Sequence, residues 1–271
     1  MLNEILPYFP SEINTFVDVF GGGFNVGVNT SCNKLVYNDQ VTPLVELMRY
    51  FYTHDLDSIL DYILSTIVDN GLSKYDKESF NVFRSKYNQS KVKCPLDLYV
   101  LICFSFNYQI RYNNQGEFNS SHGTNRSSFT RNMKNNLIKF IAKLQSYDTV
   151  FYNTDFTKLP YNELNDDDFV YFDPPYYNSI GSYNDGNRGF KNWTIREEKQ
   201  LYRLLSRLDN DGIRWGLSNT IVNSGKKNNH LIQYLKNNNY NIIKVDSDYN
   251  NSNYHKKNRT GNVEVYVTNC G

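Results

Sequence analysis

Asp173, Pro174, Pro175 and Tyr176 are the residues whose types and spacing most directly suggest chemistry. They follow Phe169-Val170-Tyr171-Phe172, an aromatic and β-branched run that reads as a buried strand. Each proline lacks an amide hydrogen and fixes its own φ, so the strand stops at once. Asp173 then sits at the carboxyl end of a buried strand, where open α/β sheets place their ligand crevice. A carboxylate, carbonyls held by the rigid Pro-Pro turn and the flat face of Tyr176 suit a planar ring carrying an exocyclic amine. The amine donates two hydrogen bonds and the ring stacks. An ordinary proline turn after a strand is the plainer alternative, and the rest of the chain has to decide between them.

Two further stretches would position a ligand beside that turn. Thr15-Phe16-Val17-Asp18-Val19-Phe20 reads as a buried strand running into Gly21-Gly22-Gly23-Phe24. Glycines after a first strand let backbone approach a ligand closely and open the next helix. Lys34 to Asp39 reads as a second strand ending in an acid, placed to accept hydrogen bonds from ribose hydroxyls. Together they indicate a nucleoside cofactor. The spacing is not the GxGxxG of a dinucleotide site, but by itself it does not choose between a nicotinamide cofactor and S-adenosylmethionine.

Between these halves the character of the chain changes. Residues 40–52 suit a helix, and helical patterns recur at 55–68, 75–88, 95–105 and 132–145 with no strand-like run among the first three. We therefore expect a catalytic domain in two parts, 1–53 and 146–271, interrupted by a mostly helical subdomain at 54–145. Within the insert, Phe106 to Phe118 carries Asn-Asn-Gln-Gly turn chemistry between aromatic and β-branched residues, which predicts a β-hairpin. From Asn81 to Gln145 ten basic residues face only Asp97 and Glu117, a local charge of +8 in a chain of net charge +1. A one-sign segment interleaved with aromatics and asparagines is a candidate phosphate-contacting surface.

After the insert, 149–153 returns to strand, followed by Asp155-Phe156. Residues 177–193 read as a mobile loop over the site. Thr194 with Glu197 predicts a capping box opening a helix at 195–208, then strands at 213–219 and 263–267. Lys256, Lys257 and Arg259 form a basic loop suited to gripping phosphates. No apolar run approaches the ~18 residues of a membrane span, and the first residues have no secretory pattern. Four scattered cysteines without CxxC fit a reducing cytosol. The four histidines lack ligand spacing, so no metal is expected.

FxGGG paired with a distal DPPY resembles motifs I and IV of the adenine-N6 methyltransferases. F-N-x-x-I-R-Y-N-x-x-G-x-F over 106–118 is similar to the recognition hairpin of the Dam-type DNA adenine methyltransferases of bacteria and phages. That resemblance runs from Phe16 to about Tyr266, in the order of the α group of amino methyltransferases. It implies a Rossmann-like α/β methyltransferase domain with an inserted recognition subdomain, acting on double-stranded DNA in the cytoplasm of a bacterial or phage-infected cell. By the same resemblance, S-adenosylmethionine would be held by Phe20, Gly21, Gly23, Asp39, Asp155, Phe156 and Asp173. Asp173, Pro174, Pro175 and Tyr176 would carry the chemistry. Phe106 falls where the family inserts an aromatic beside the target. Asn107, Gln109, Arg111, Asn113, Ser121 and Arg126 fall in its DNA-contacting segment, with GATC or a related site as the sequence read.

Three departures accompany the match. Gln109 stands where the family has Leu or Met, and Ser121 where it has Pro. The family's Tyr-x-Gly-x-Lys element ahead of the first helix has no counterpart, which predicts weaker cofactor binding. An RNA adenine methyltransferase, or a DNA-binding protein that keeps the fold without the activity, are the competing expectations.

Overall fold

The computed structural model describes residues 2–177, 183–184, 190–191, 193–223, 225–245 and 262–270. Most of the expected loop at 177–193, and the basic loop with Lys256, Lys257 and Arg259, lie outside the described residues.

The chain clusters into two units. The first comprises 1–39, 148–183 and 192–271. After a short helix α1 (Leu2–Ile5), it is built on strands β1 (Thr15–Asp18), β2 (Lys34–Asn38), β3 (Asp148–Tyr152), β4 (Phe169–Phe172), β7 (Arg214–Asn223), β9 (Asn241–Val245) and β10 (Val263–Thr268). Two residue pairs, β5 (Tyr183–Asn184) and β6 (Phe190–Lys191), form a separate two-stranded sheet, and β8 (Lys226–Lys227) pairs with the end of β7. The main sheet runs β3-β2-β1-β4-β7-β10-β9. The first five strands are parallel neighbours, and β10 runs antiparallel to both β7 and β9. This is the Rossmann-like mixed α/β sheet expected from the sequence.

The chain moves outward from β1 to β2 to β3, then returns to place β4 on the other side of β1. Strand order therefore reverses between β1 and β4, the kind of switch point at whose carboxyl end open α/β sheets bind their ligands. Strands buried on both faces read as continuous apolar runs, as β4 does: all four of its residues are buried. Phe9 stacks on Phe16 and Tyr266 and packs at a tilt against Phe169 and Tyr171. Val17, Val170, Phe172, Trp215 and Leu217 share a core with Leu201, Leu205 and Leu208 of helix α8 (Ile195–Asn210). Thr194 and Glu197 form the expected capping box at the start of α8. At the amino ends of the strands, buried Asp168 accepts hydrogen bonds from Thr15 N (2.8 Å) and Asn165 N (3.0 Å), tying β4 to β1.

Short helix α2 (Asn25–Asn29) follows the glycine loop, and α9 (Asn229–Lys236), which buries Leu231 and Leu235 one turn apart, precedes the edge strand β9.

The second unit comprises 40–147 and 184–191, and is mostly helical. Its helices are α3 (Thr42–Thr53), α4 (Leu56–Asp69), α5 (Lys77–Gln89), α6 (Pro95–Phe104) and α7 (Arg131–Gln145). Helix 42–53 clusters with this unit, which begins at Gln40. Asp55, Asp76 and Thr130 cap α4, α5 and α7 with their side chains. The α6 helix is apolar almost all round because it is the buried centre of the bundle: Leu96, Leu98, Val100, Leu101, Cys103 and Phe104 are all buried.

Candidate active site

Four segments meet the carboxyl edge of the parallel strands in the first unit. After β1, Gly21 N donates to Asn38 O (2.8 Å) and Phe24 N to Gly21 O (2.6 Å), folding the glycine loop back on itself. A Cβ at Gly21 would lie 2.3 Å from the ring of Tyr37, whose hydroxyl donates to Gly22 O at 2.9 Å. Gly22 has φ +48°, a left-handed conformation that side chains disfavour. The loop is thus a backbone cradle that only glycine permits. Gly23 lies exposed on its outer side.

Asp39 follows β2, half-buried, and accepts from Gly22 N at 2.9 Å. One carboxylate oxygen therefore braces the glycine loop. Asn153 Nδ2 donates to Asp39 O (2.8 Å), fixing this turn to the end of β3. Asp155 accepts from Thr157 N (3.0 Å) and Thr157 Oγ1 (2.6 Å), capping a 3₁₀ turn over Phe156–Lys158. Phe156 is buried; its ring lies 5.5 Å from that of Phe20 and 5.5 Å from that of Trp193.

After β4 come Asp173, buried Pro174, Pro175 and Tyr176. The Asp173 carboxyl is raised to about 7 by burial, held down by a hydrogen bond from Tyr176 and raised again by Glu264 of β10. Tyr176 thus meets Asp173 through its hydroxyl, a contact that the stacking role does not anticipate.

In the sequence Asp18 looks like one more residue of its strand. This last residue of β1 is buried and pairs in register with Tyr171, two residues before Asp173. Its carboxyl is raised to about 8, chiefly by burial and then by the charges of Asp173 and Asp39, against a hydrogen bond from the Gly27 backbone that lowers it. An acid ending a strand is common, and only the adjacency of β1 and β4 shows that this one faces a second carboxyl.

Both shifts are upward, so the folded state holds protons that the unfolded chain releases. The resulting stability is full below about pH 4 and is lost as pH rises through about 7 and 8. A carboxylate accepts an amine hydrogen more strongly than a neutral carboxyl, so an activity that depends on Asp173 would have the opposite dependence. We expect kcat/KM to rise through about pH 7, and Glu264→Gln to move that limb to lower pH. An unmoved limb in Glu264→Gln would detach it from Asp173.

The DNA-contact candidates belong to the second unit and form an irregular hairpin. Tyr112 and Phe118 make one isolated antiparallel bridge, and a 3₁₀ turn at 106–108 replaces the expected first strand. Asn107 (φ 53°) and Tyr108 (φ 54°) are both left-handed, so no continuous ladder can form through them. Asn113 Oδ1 accepts from Gln115 N and Glu117 N, which commits its side chain to the turn. Helix α5 anchors the hairpin: Asn88 exchanges two hydrogen bonds with the backbone of Phe118, and Arg84 Nη1 donates to Ser120 O at 2.8 Å.

Arg111, Ser121 and Arg126 are exposed, Asn107 and Gln109 half-exposed. Phe106 is 39% exposed, and the Arg126 guanidinium stands 5.6 Å from its ring centroid, within cation–π range. Of the ten basic residues, Arg84, Lys86 and Lys93 make internal hydrogen bonds: Lys86 Nζ donates to Asn70 Oδ1 at 3.4 Å, and Lys93 Nζ to Tyr87 O and Asn88 O, both at 2.6 Å. Among the described residues no helix is long and apolar enough to cross a membrane, and no group of three or more His, Cys, Asp or Glu is placed to hold a metal ion.

The sequence matches the model of the D12 class N6 adenine-specific DNA methyltransferases over residues 1–251. It is 44% identical over 269 residues to the modification methylase StsI of Streptococcus sanguinis, covering 99% of this chain and 41% of that protein. Against the type II methyltransferase M.FokI of Planomicrobium okeanokoites the identity is 42%, with the same coverage. The modification methylase LlaI of Lactococcus lactis subsp. lactis is 32% identical over 243 residues, 89% of this chain and 38% of its own. The chain thus spans about two fifths of the length of these relatives.

Proposed function

The chain belongs to the D12 class N6 adenine-specific DNA methyltransferase family, and from that premise we propose that it methylates the N6 amine of an adenine within a short site in duplex DNA. The methyl donor is S-adenosylmethionine, and the setting is the modification side of a restriction–modification system in the bacterial cytoplasm. The observation that carries the reading is the position of Asp173: it ends β4 at the switch point of the sheet, one strand from the glycine cradle after β1.

The residues fit the donor. Gly21 packs against the Tyr37 ring with no room for a Cβ, which holds the glycine loop close over the end of β2. Asp39 stands after β2 to accept from ribose hydroxyls, and Phe20 and Phe156 border the adenine side. When bound, the donor supplies an electrophilic methyl group on a sulfonium.

The target amine is paired inside the helix, so the adenine has to leave the stack. Tyr176 then offers a face to the extruded ring. Asp173 accepts one amine hydrogen and the Pro174 carbonyl the other, which aims the nitrogen lone pair outward. Fixing that direction supplies much of the rate enhancement. The Asp173 carboxylate stabilises the positive charge that develops on nitrogen and takes up the proton.

Site reading falls to the hairpin. Arg111 is exposed just before the turn and can meet a guanine edge with both guanidinium nitrogens, a contact worth roughly 1–3 kcal/mol of discrimination. GATC or a close relative is the site we propose. Arg111→Ala should relax the preference at one base pair, whereas Lys139→Ala should weaken binding to all sequences and flatten its salt dependence. Methylation maps made with wild type and Arg111→Ala check this; identical motifs would remove the hairpin as reader.

Asp39→Ala should weaken cofactor binding by about 1–3 kcal/mol and leave DNA affinity unchanged. Calorimetry reads both. Equal cofactor affinity in the two proteins would take Asp39 out of the site.

A further inference from the structure

Glu198 is a fully buried carboxyl in the first turn of α8, and the chemistry above makes no use of it. A buried charge needs partners, and an unpaired one is costly. Asn228 Nδ2 donates to Glu198 Oε1 at 3.3 Å. The other oxygen, Oε2, has no partner within hydrogen-bonding geometry, and neither do three buried donor atoms, Trp193 Nε1, Tyr202 OH and Asn219 Nδ2. Trp193 directly precedes the Thr194 cap and Glu198 lies at the fourth position of α8, two places that meet across the start of a helix, and Tyr202 follows Glu198 by one turn. Burial pushes the Glu198 carboxyl up, and Tyr202, Asn228, Trp193 and Asn219 pull it back toward the charged form. The amino-terminal end of α8 favours a negative charge there as well.

Two of these donors connect the carboxyl with the proposed site. Trp193 presents its ring edge-on to Phe20 at 5.6 Å and tilted to Phe156 at 5.5 Å, closing an aromatic corner whose other walls follow β1 and β3. Asn219 lies two residues past Leu217, the register partner of Phe172 in β4, and is buried. Its neighbour Ser218 shares a 2.7 Å hydrogen bond with the Tyr171 hydroxyl. Two of the buried donors around this carboxyl thus belong to the aromatic corner and to β7, the strand beside β4.

We propose that Glu198 is a positioning residue, which holds the Trp193 indole against Phe20 and Phe156 and so fixes the corner that receives the cofactor's adenine ring. The proposal rests on the S-adenosylmethionine reading above. Its function is in binding: loss of the carboxylate frees the indole to rotate, and the corner loses its third wall while the glycine cradle and Asp173 stay in place.

The test uses S-adenosylhomocysteine, which binds without turnover, in calorimetric titrations of the full chain. Circular dichroism and thermal melting are recorded for each variant. Glu198→Gln keeps the shape but not the charge, and should raise Kd roughly five- to ten-fold. Trp193→Phe keeps a ring but removes the indole N–H, and should act to a similar extent. The double variant should bind no more weakly than Trp193→Phe alone, because the first residue acts through the second. Wild-type affinity in a folded Glu198→Gln, or effects that simply multiply in the double variant, would overturn the proposal. Should Glu198→Gln fail to fold, Trp193→Phe decides: a wild-type Kd overturns the proposal and a weakened one upholds the corner it depends on. No binding by the wild-type protein overturns the cofactor reading itself, and this proposal with it.

Discussion

Asp173→Ala folds as the wild type does and loses methyl transfer by at least ~10²–10³-fold, the scale on which removing one preorganised charge-stabilising group acts. The loss is large because, in the proposed reaction, one carboxylate orients the amine, stabilises its developing charge and receives its proton. The fold survives because burial already makes this carboxyl costly: its pKa is raised to about 7. Removing it relieves the folded state, most clearly above pH 7 where the group would be charged. Transfer from labelled cofactor to plasmid DNA, with melting curves at pH 6 and pH 8, measures both halves. Near-wild-type transfer by Asp173→Ala would contradict the assignment. A variant that fails to fold would instead make Asp173 part of the scaffold.

Gly21→Ala has the second large effect, and it acts through geometry alone. The added Cβ would stand 2.3 Å and 2.5 Å from two carbons of the Tyr37 ring, a fully buried side chain. Tyr37 cannot easily give way, because its hydroxyl is bonded to Gly22 O and its ring packs edge-on against Phe24 at 4.8 Å. Overpacking of this kind costs about 1–3 kcal/mol, and the least costly relief is to push the glycine loop into the space kept for the cofactor. We expect cofactor affinity to fall by more than about ten-fold, with a melting temperature lower by several degrees. An alanine variant with unchanged affinity would mean the cradle is not a ligand surface.

The legible parts of this chain are those where chemistry and local structure coincide in one segment. Phe169–Phe172 ends at two prolines, so strand, stop and carboxylate are read from eight consecutive residues. Gly21–Gly23 and the Thr194–Glu197 capping box are equally local. What escaped the sequence is what depends on neighbours in space. Asp18 becomes part of the site only because the sheet sets β1 beside β4. Glu198 reads as one more first-turn acid of an amphipathic helix, and its burial comes from Trp193, Tyr202, Asn219 and Asn228 closing around it.

The hairpin shows a different limit. Its turn chemistry at Asn113–Gly116 predicted a reversal, and the chain does reverse there. Left-handed backbone at Asn107 and Tyr108, together with anchors supplied by Arg84 and Asn88 from another helix, replaces the regular ladder that aromatic residues suggest. Asn113, an apparent base-contacting amide, is committed to its own turn.

The most direct measurement incubates the purified protein with S-adenosylmethionine and unmodified plasmid, then maps modified bases by single-molecule sequencing. The account predicts N6-methyladenine at one short motif that contains GATC or a close relative, and its absence from DNA treated with Asp173→Ala. Modification of another base, or DNA left unmodified by a protein that binds the cofactor, would contradict it.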